Sequence, residues 1–579
     1  MKKISMKKAL VPMMIWAASM PMMQSCIDEV QPTNYATDEQ IEQSATAAQT
    51  LLNGLNAMMV DQFTYNGDQV AYDWGYPSQM VLRDVLGGDM PVVGNYDDGS
   101  SNDYLYWIAN GGWLSVFPLY TYSYYYDLIA NANSMVEKYA SDDSAYKEYG
   151  GMALAYRALA YLDLARMFEY RTTGFETLDG KAEAVMGLTV PIVTENTTLD
   201  EAKNNPRAPF YTMYRFIMSD LNKAETLLAD YTRQSKTAPD VSVVYGLKAR
   251  LWLEMASRFD KSADDLATFT QHKSDADGYD AIDISSANDC FKQAKTYAER
   301  AINFPGYSPL TKEDWYGSLT GFNTANHAWM WAASMRSKEM ISYEWYTWMC
   351  WMNNEADICW GPYFDSYRAI DAYLYSCISD TDWRKKTWVD PADAHAEEVP
   401  EGYSTILTNS EWNLPGYASL KYKLNGGERN DYQTAFLCDI PLMRIEEMYF
   451  IAAEAEAHVS GLAAGRSYLE YFVNTYRDAD FTAFDSSMDN FNWSLLTQKR
   501  IEFWGEGLVF FDNKRLSQKI TRWYWGTNYP TSYQLNSKTG YVAPWLNYYI
   551  YDYERDNNPA VVLNPDPTDA VASQTEYDY

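Results

Sequence analysis

Histidine is scarce in this chain. His272, His327, His395 and His458 are all there are in 579 residues, and they form no HExxH pair, which leaves metal-dependent or imidazole-based catalysis without a scaffold. Cysteine is nearly as rare, with six residues, no CxxC pair and no zinc-like spacing. Cys290, Cys350, Cys359, Cys377 and Cys438 are therefore expected to be small buried apolar residues and not a disulfide framework. There is no glycine-rich phosphate loop and no G-x-S-x-G elbow, and after the first 25 residues no run is apolar enough to cross a membrane. Positive charge is deficient as well: 46 basic against 78 acidic residues leave a net charge of −32, a field that repels phosphate backbones and anionic headgroups. Carboxylates are so abundant that no catalytic pair stands out, so composition alone does not exclude a glycosidase. Asp275, Asp277 and Asp280 around Gly278 hold part of a calcium-loop pattern, but the ligand run is incomplete and a solvated turn is expected.

What the chain has in excess is rings: 50 Tyr, 20 Trp and 21 Phe. That is more than an interior should need, and rings with a polar tip suit a wetted recognition surface. With 47% hydrophobic and 21% charged residues the chain is globular. Apolar residues return every three or four positions over 40–60, 119–139, 146–168, 210–228, 243–257, 287–302, 441–459 and 495–516, so these segments are predicted helices. Alanines such as Ala153, Ala155, Ala158 and Ala160 allow close helix approach, as in tetratricopeptide-type pairs, although no repeat of fixed period is visible. The fold class expected is mostly α, a tetratricopeptide-like helical scaffold with long irregular loop insertions. Two such insertions, 63–112 and 304–433, are rich in Tyr, Trp, Gly and Asp, and long loops in a compact domain are usually functional.

Lys2, Lys3, Lys7 and Lys8 precede an apolar run over 9–23, the pattern of an export signal. The run ends at Met23, Gln24, Ser25 and Cys26, which resembles a bacterial lipobox, with Met23 where Leu is more usual. Cys26 is the expected lipid attachment, and Asp28 and Glu29 after it resemble a surface-export signal of bacterial outer-membrane lipoproteins. The division expected is a lipoprotein signal peptide over 1–25, one helical domain over 26–550 and a loosely ordered acidic tail over 551–579.

Further motifs are spread along the chain. Tyr126, Ile129, Ala132 and Asn133 form Y-x-x-I-x-x-A-N, followed by Gly151, Arg157, Ala158, Tyr161 and Leu164. Pro191, Ile192, Arg207, Tyr214, Ile217, Asp220, Leu221 and Ala224 make a second block. Asp439, Pro441, Arg444, Glu447, Tyr449, Ile451, Ala453, Glu454 and Ala455 make D-x-P-x-x-R-x-x-E-x-Y-x-I-x-A-E-A, with Asp382 and Arg384 upstream. Arg500, Glu502, Phe503, Glu506, Gly507, Asp512 and Arg515 close the set. Together these resemble the SusD/RagB family of outer-membrane nutrient-binding lipoproteins, with two departures: Gln498 and Val509 stand where that family usually has Glu and Arg. The resemblance implies a binding protein and not an enzyme, with no cofactor and no metal. It also implies a SusC-like TonB-dependent transporter as partner, attachment to the outer membrane facing the cell exterior, and a ligand face on the loops. The charges of these motifs are expected to hold the scaffold through i,i+4 pairs and helix caps.

A sugar ring offers C–H groups on its faces and hydroxyls at its rim, so a glycan site needs flat aromatic platforms beside a few polar side chains. Both occur in the insertions. The first carries Asp73, Trp74, Tyr76, Arg83, Asn95 and Tyr96; in the second, Tyr343, Trp345, Tyr346, Trp348, Trp351 and Trp360 fall within eighteen residues. The expected ligand-contacting set is Asp73, Trp74, Tyr76, Arg83, Asn95, Tyr96, Trp345, Trp348, Trp351 and Trp360, because a spacing this dense should not bury every ring on one side. Trp107, Trp113, Trp329 and Trp331 lie on apolar segments and are expected in the core. Capture of a glycan for uptake is the leading reading. The alternatives are capture of peptides or another nutrient through the same transporter pairing, a glycan-cleaving enzyme, and an envelope assembly scaffold.

Overall fold

A computed structural model describes residues 41–64, 73–94 and 116–567. The main helices are α1 (Ala45–Met58), α2 (Tyr76–Gly87), α3 (Val116–Tyr139), α4 (Lys147–Phe168), α5 (Phe210–Leu227), α6 (Val241–Lys261), α7 (Ala263–His272) and α8 (Ala287–Ile302). In the second half come α9 (Trp348–Met352), α10 (Trp360–Phe364), α11 (Ile445–Val459), α12 (Leu462–Tyr476), α13 (Met488–Glu502), α14 (Val509–Leu516) and α15 (Asp552–Asn557). Strands are few. β1 (Val92–Val93) pairs antiparallel with β3 (Tyr367–Arg368), and β2 (Trp329–Met335) pairs antiparallel with β4 (Cys438–Arg444). The fold is mostly α, as expected.

Neighbouring helices pack side by side, α3 on α4, α4 on α5, α6 on α8, α8 on α11 and α11 on α12. Small residues set the spacing. Ala153, Ala155, Ala158 and Ala160 of α4 are fully buried, and a Cβ on Gly151 would meet Leu228 at 2.8 Å. Helix starts are chemically marked. The Asp240 side chain accepts from the amides of Ser242 and Val243, while Ser286 and Ser487 accept from Asp289 and Asn490, satisfying amides that have no partner within their helix.

Three predicted elements change. The expected helix over 441–459 begins only at Ile445, because 438–444 is β4, with Pro441 opposite Ala332. A two-stranded ribbon has only edges, so a residue without an N–H is tolerated there. The expected helix over 495–516 is two, α13 and α14. Gly505 and Gly507 between them have φ of 82° and 72°, and a Cβ on Gly507 would lie 2.7 Å from the Met80 Cα. Finally, the insertion expected over 63–112 contains α2, in which all twelve residues are buried. A helix enclosed on every side shows no apolar stripe to read.

Most of the motif charges form a buried lattice between distant elements, and only Asp512 and Arg515 among them pair along one helix at i,i+3. Glu502 receives Arg384 Nη1 at 2.9 Å, Arg444 Nη1 at 3.0 Å and Arg477 Nε at 2.8 Å. Glu446 receives Arg444 and Arg477, Glu506 receives Arg444 and Lys421, and Asp382 receives Arg384. The cations Arg384, Arg444, Arg477 and Lys421 thus face an equal number of carboxylates, Asp382, Glu446, Glu502 and Glu506. Glu447 pairs with Arg250 at 2.6 Å, and Glu454 with Arg515 at 2.5 Å. Pairing of this kind offsets the cost of taking these charges out of water.

The two departures from the family pattern fit this arrangement. Gln498 accepts from Arg384, which already has two carboxylates, so a neutral side chain there keeps the charge balanced. Val509 is buried against α2, where a Cβ on Gly87 would come within 2.4 Å of the Val509 Cγ1. A long cation has no room at that contact. Val509→Arg is expected to lower stability by about 1–3 kcal/mol through overpacking alone, read as a lower urea midpoint. An unchanged midpoint would show that α2 and α14 separate freely.

The segment expected to be loose from 551 onward is packed on the body as far as residue 567. Asn564 donates to the Phe168 and Tyr548 carbonyls at 2.8 and 2.6 Å, and Arg207 donates to the Asn564 Oδ1 at 2.8 Å. Residues 568–579, the 1–25 segment and Cys26 lie outside the described residues. Trp329 and Trp331 are fully buried, as expected. Trp107 and Trp113 are outside the described residues. Cys290, Cys350, Cys359 and Cys438 are buried, Cys377 partly so, and all five are free thiols.

Candidate functional site

The second insertion folds into an aromatic stack that begins in the core and ends at the surface. Gln62 holds its base. Its side-chain oxygen accepts from the Ser342 and Tyr343 amides at 2.8 and 2.9 Å, and its nitrogen donates to the Tyr343 and Tyr346 carbonyls at 2.9 and 2.6 Å. Thr347 then caps α9 by accepting from the Cys350 amide at 3.1 Å, and the Trp351 indole donates to the Trp345 carbonyl at 2.8 Å. Asn354 ties the far end down by bonding the Arg368 and Ser419 carbonyls. The loop is thereby fixed before any ligand arrives.

Inside this frame the rings follow one another outward. Trp74 lies 6.1 Å from Trp351, which stacks on Trp360 at 4.6 Å and 18°. Trp360 meets Phe364 at 4.7 Å, and Trp345 meets Tyr363 at 4.7 Å and Phe364 at 5.2 Å. Tyr343 and Tyr346 stack at 5.1 Å beside Phe63. Tyr363 is 59% exposed. Phe63, Tyr343, Trp345, Tyr346 and Phe364 are half-buried.

This order corrects most of the expected ligand set. Trp348 and Trp351 are buried, with Trp348 edge-on to Tyr422 at 5.2 Å. They sit three apart on a five-residue helix covered on all sides, so the rings of the dense cluster that reach the surface are Tyr343, Trp345 and Tyr346 before it and not these two. Trp74 and Asp73 are buried too, and Trp360 is nearly so. Tyr76 and Arg83 belong to a closed polar cluster. The Asp163 Oδ2 accepts from Tyr76 at 2.8 Å, Tyr125 at 2.9 Å and Arg83 at 3.0 Å, while Arg166 reaches Oδ1 at 2.7 Å. Burial pushes the Tyr76 phenol up to about 12. Burial would also raise Asp163, but Arg83 and then Arg166 outweigh it and hold the carboxyl below its ordinary value. These side chains bolt α2 to α3 and α4, and Tyr76 and Arg83 are buried away from any ligand at the surface. Asn95 and Tyr96 lie outside the described residues. Of the expected set, Trp345 alone among the described residues stands at the surface of the stack.

Residues not singled out from sequence complete the shelf. Tyr363 and Phe364 lie three and four positions after Trp360, the spacing that places side chains on one helix face, and that signal was readable. Gln62 was not: its partners lie some 280 positions away.

The Asp-rich loop is occupied by protein. Arg215, itself fully buried, pairs with Asp277, His272 bonds Asp275 at 2.8 Å and Asn222 donates to Asp280 at 2.7 Å. Among the described residues no group of His, Cys, Asp and Glu is arranged to hold a metal ion.

A helical scaffold that carries a preformed aromatic shelf is the architecture of a ligand-binding protein. A family model described as starch-binding associating with outer membrane matches residues 91–253, and the model of the SusD family matches residues 379–577. The chain belongs to the SusD/RagB family, whose members are outer-membrane-associated binding proteins and not enzymes.

Solved structures agree on the fold. A SusD-like carbohydrate binding protein from Bacteroides vulgatus is 20% identical with a TM-score of 0.62, covering 89% of this chain and 97% of that one. A SusD superfamily protein from Bacteroides thetaiotaomicron is 18% identical with a TM-score of 0.61, covering 90% and 99%. A laminarin-binding SusD-like protein is 16% identical with a TM-score of 0.58, again covering 90% and 99%. Comparison with curated proteins finds no match.

Proposed function

We propose that this protein captures an extracellular glycan at the cell surface and passes it to a SusC-like TonB-dependent transporter, held to the outer membrane by lipid on Cys26. The observation that carries the reading is the aromatic stack surfacing at Trp345, Tyr363 and Phe364 on a loop already fixed by Gln62. Flat rings over a rigid base suit the C–H faces of a pyranose, and prior ordering of the loop removes part of the entropic cost of binding. The names of two similar structures, one carbohydrate binding and one laminarin-binding, support the same class of ligand. The exported, lipid-anchored form rests on the first 29 residues, and the transporter partner on family membership.

With two or three outer rings contributing about 0.5–1.5 kcal/mol each, capture is weak, in the micromolar to millimolar range. Weak capture suits a protein that must release, and a polymer gains by touching more than one platform. The test is affinity electrophoresis of the exported chain through gels containing plant, host or microbial polysaccharides. Retardation without release of reducing ends is expected for at least one glycan. Release of products would make the protein an enzyme; no retardation in any gel, with binding of a peptide pool instead, would move the reading to peptide capture.

A further inference from the structure

A second concave surface is built from different elements. The second half of α13, residues 518–521 after α14 and the C-terminal end of α2 at Gly87 and Gly88 line a small open groove. One wall is the ring of Trp493, which is 43% exposed and packs on Phe484 at 5.6 Å. Leu496 and Thr497 make the apolar floor. Around the rim are Arg500, Gln518, Lys519 and Thr521.

The polar groups here are unevenly charged. Arg500 is oriented by Asp89, its Nε lying 2.9 Å from each carboxylate oxygen, and its side chain remains 30% exposed. Lys519 is exposed and forms no ion pair with the described residues. Behind Gly88 the guanidinium of Arg522 is fully buried. Its Nη2 donates to the Val85 and Leu86 carbonyls, while Nε and Nη1 have no hydrogen-bond partner. Against these three cations stand Asp89 and Asp371, and Asp371 already accepts from the Tyr524 hydroxyl at 2.6 Å and the Leu374 amide at 3.0 Å. In a chain of net charge −32 the two charged residues that line the groove, Arg500 and Lys519, are both basic. A small inorganic anion would leave the indole wall unused; a neutral sugar would leave the excess positive charge unpaired.

We propose that this groove is a second carbohydrate-contacting site and that it takes an acidic sugar residue. The ring face lies on Trp493, the carboxylate between Lys519 and Arg500, and the ring hydroxyls reach Gln518 and Thr521. A charged oxygen between two cationic donors makes the strong class of hydrogen bond, and an indole face adds stacking. The inference rests on glycan capture and extends it to a ligand class, a polymer containing uronate units.

The experiment uses the full exported chain carrying Trp345→Ala and Tyr363→Ala, so that the groove reports alone. Calorimetric titration with a galacturonate hexamer is expected to show binding, and a neutral galactose hexamer none. Adding Lys519→Gln or Trp493→Ala, both at exposed positions, should weaken the acidic oligomer about tenfold each, and raising the salt should weaken it further. The proposal is overturned if the galacturonate hexamer does not bind in this background, or if neither groove substitution changes its affinity. Glycan retardation of the unsubstituted chain is scored separately, so failure of the groove and failure of the capture reading are told apart.

Discussion

Glu502→Gln should lower the stability of the folded chain by about 3–5 kcal/mol, among the largest effects of any single polar substitution here. Glu502 is wholly buried and is the shared counter-charge of Arg384, Arg444 and Arg477. A neutral amide of the same shape leaves three guanidiniums close together with too few carboxylates, and no water to dilute the repulsion. Burial alone would raise the Glu502 carboxyl; Arg477 first, then Arg444 and Arg384, outweigh it and hold it well below its ordinary 4.5. A carboxyl depressed on folding contributes stability that is complete above its unfolded value and is lost as pH falls through the folded one. The gap between wild type and Glu502→Gln should therefore be widest near neutrality and narrow below about pH 4. Urea denaturation across that range measures it. A loss under about 1 kcal/mol at pH 7 would mean that the lattice is hydrated and does not cross-link the elements.

Trp351→Ala and Trp345→Ala should part company. Trp351 is fully buried, stacked on Trp360 and bonded to the Trp345 carbonyl, so its removal opens a cavity costing about 3–5 kcal/mol. Trp348→Ala belongs with it, since Trp348 is equally enclosed. Trp345→Ala, combined with Tyr363→Ala, removes the outer face while leaving the buried stack in place. That variant should lose retardation in gels of neutral polysaccharides with little change in melting temperature. If the outer pair melts the protein, or if retardation by a neutral glycan survives without it, the shelf is not the contact surface.

Much of the scaffold was legible because an exposed helix face must differ from a buried one. α5, α8 and the alanine-lined α4 follow from periodicity and small residues alone. The same logic fails where nothing is exposed. α2 and α9 are enclosed on every side, so their sequences carry no stripe, and rings at 348 and 351 that looked too dense to be hidden are hidden against Tyr422, Trp74 and Trp360. The α13–α14 break was signalled by Gly505 and Gly507, yet only the approach of Tyr422 to the first and of Met80 on α2 to the second explains why no side chain fits there. The motif charges were legible as structural but not as a lattice, since Arg444 and Glu502 find each other across 58 positions.

Composition and pattern by themselves determined the class of the protein: mostly helical, strongly acidic, rich in rings, poor in histidine, and marked by dispersed motifs of a binding family. These properties are sums over many residues or repeats along one element, and the chain carries them in any conformation. Which rings meet solvent was decided by the tertiary structure alone. Trp345 and Trp351 are chemically identical and six positions apart; the hydrogen bonds of Gln62, from far along the chain, and the packing of Trp360 place one at the surface and the other beneath it.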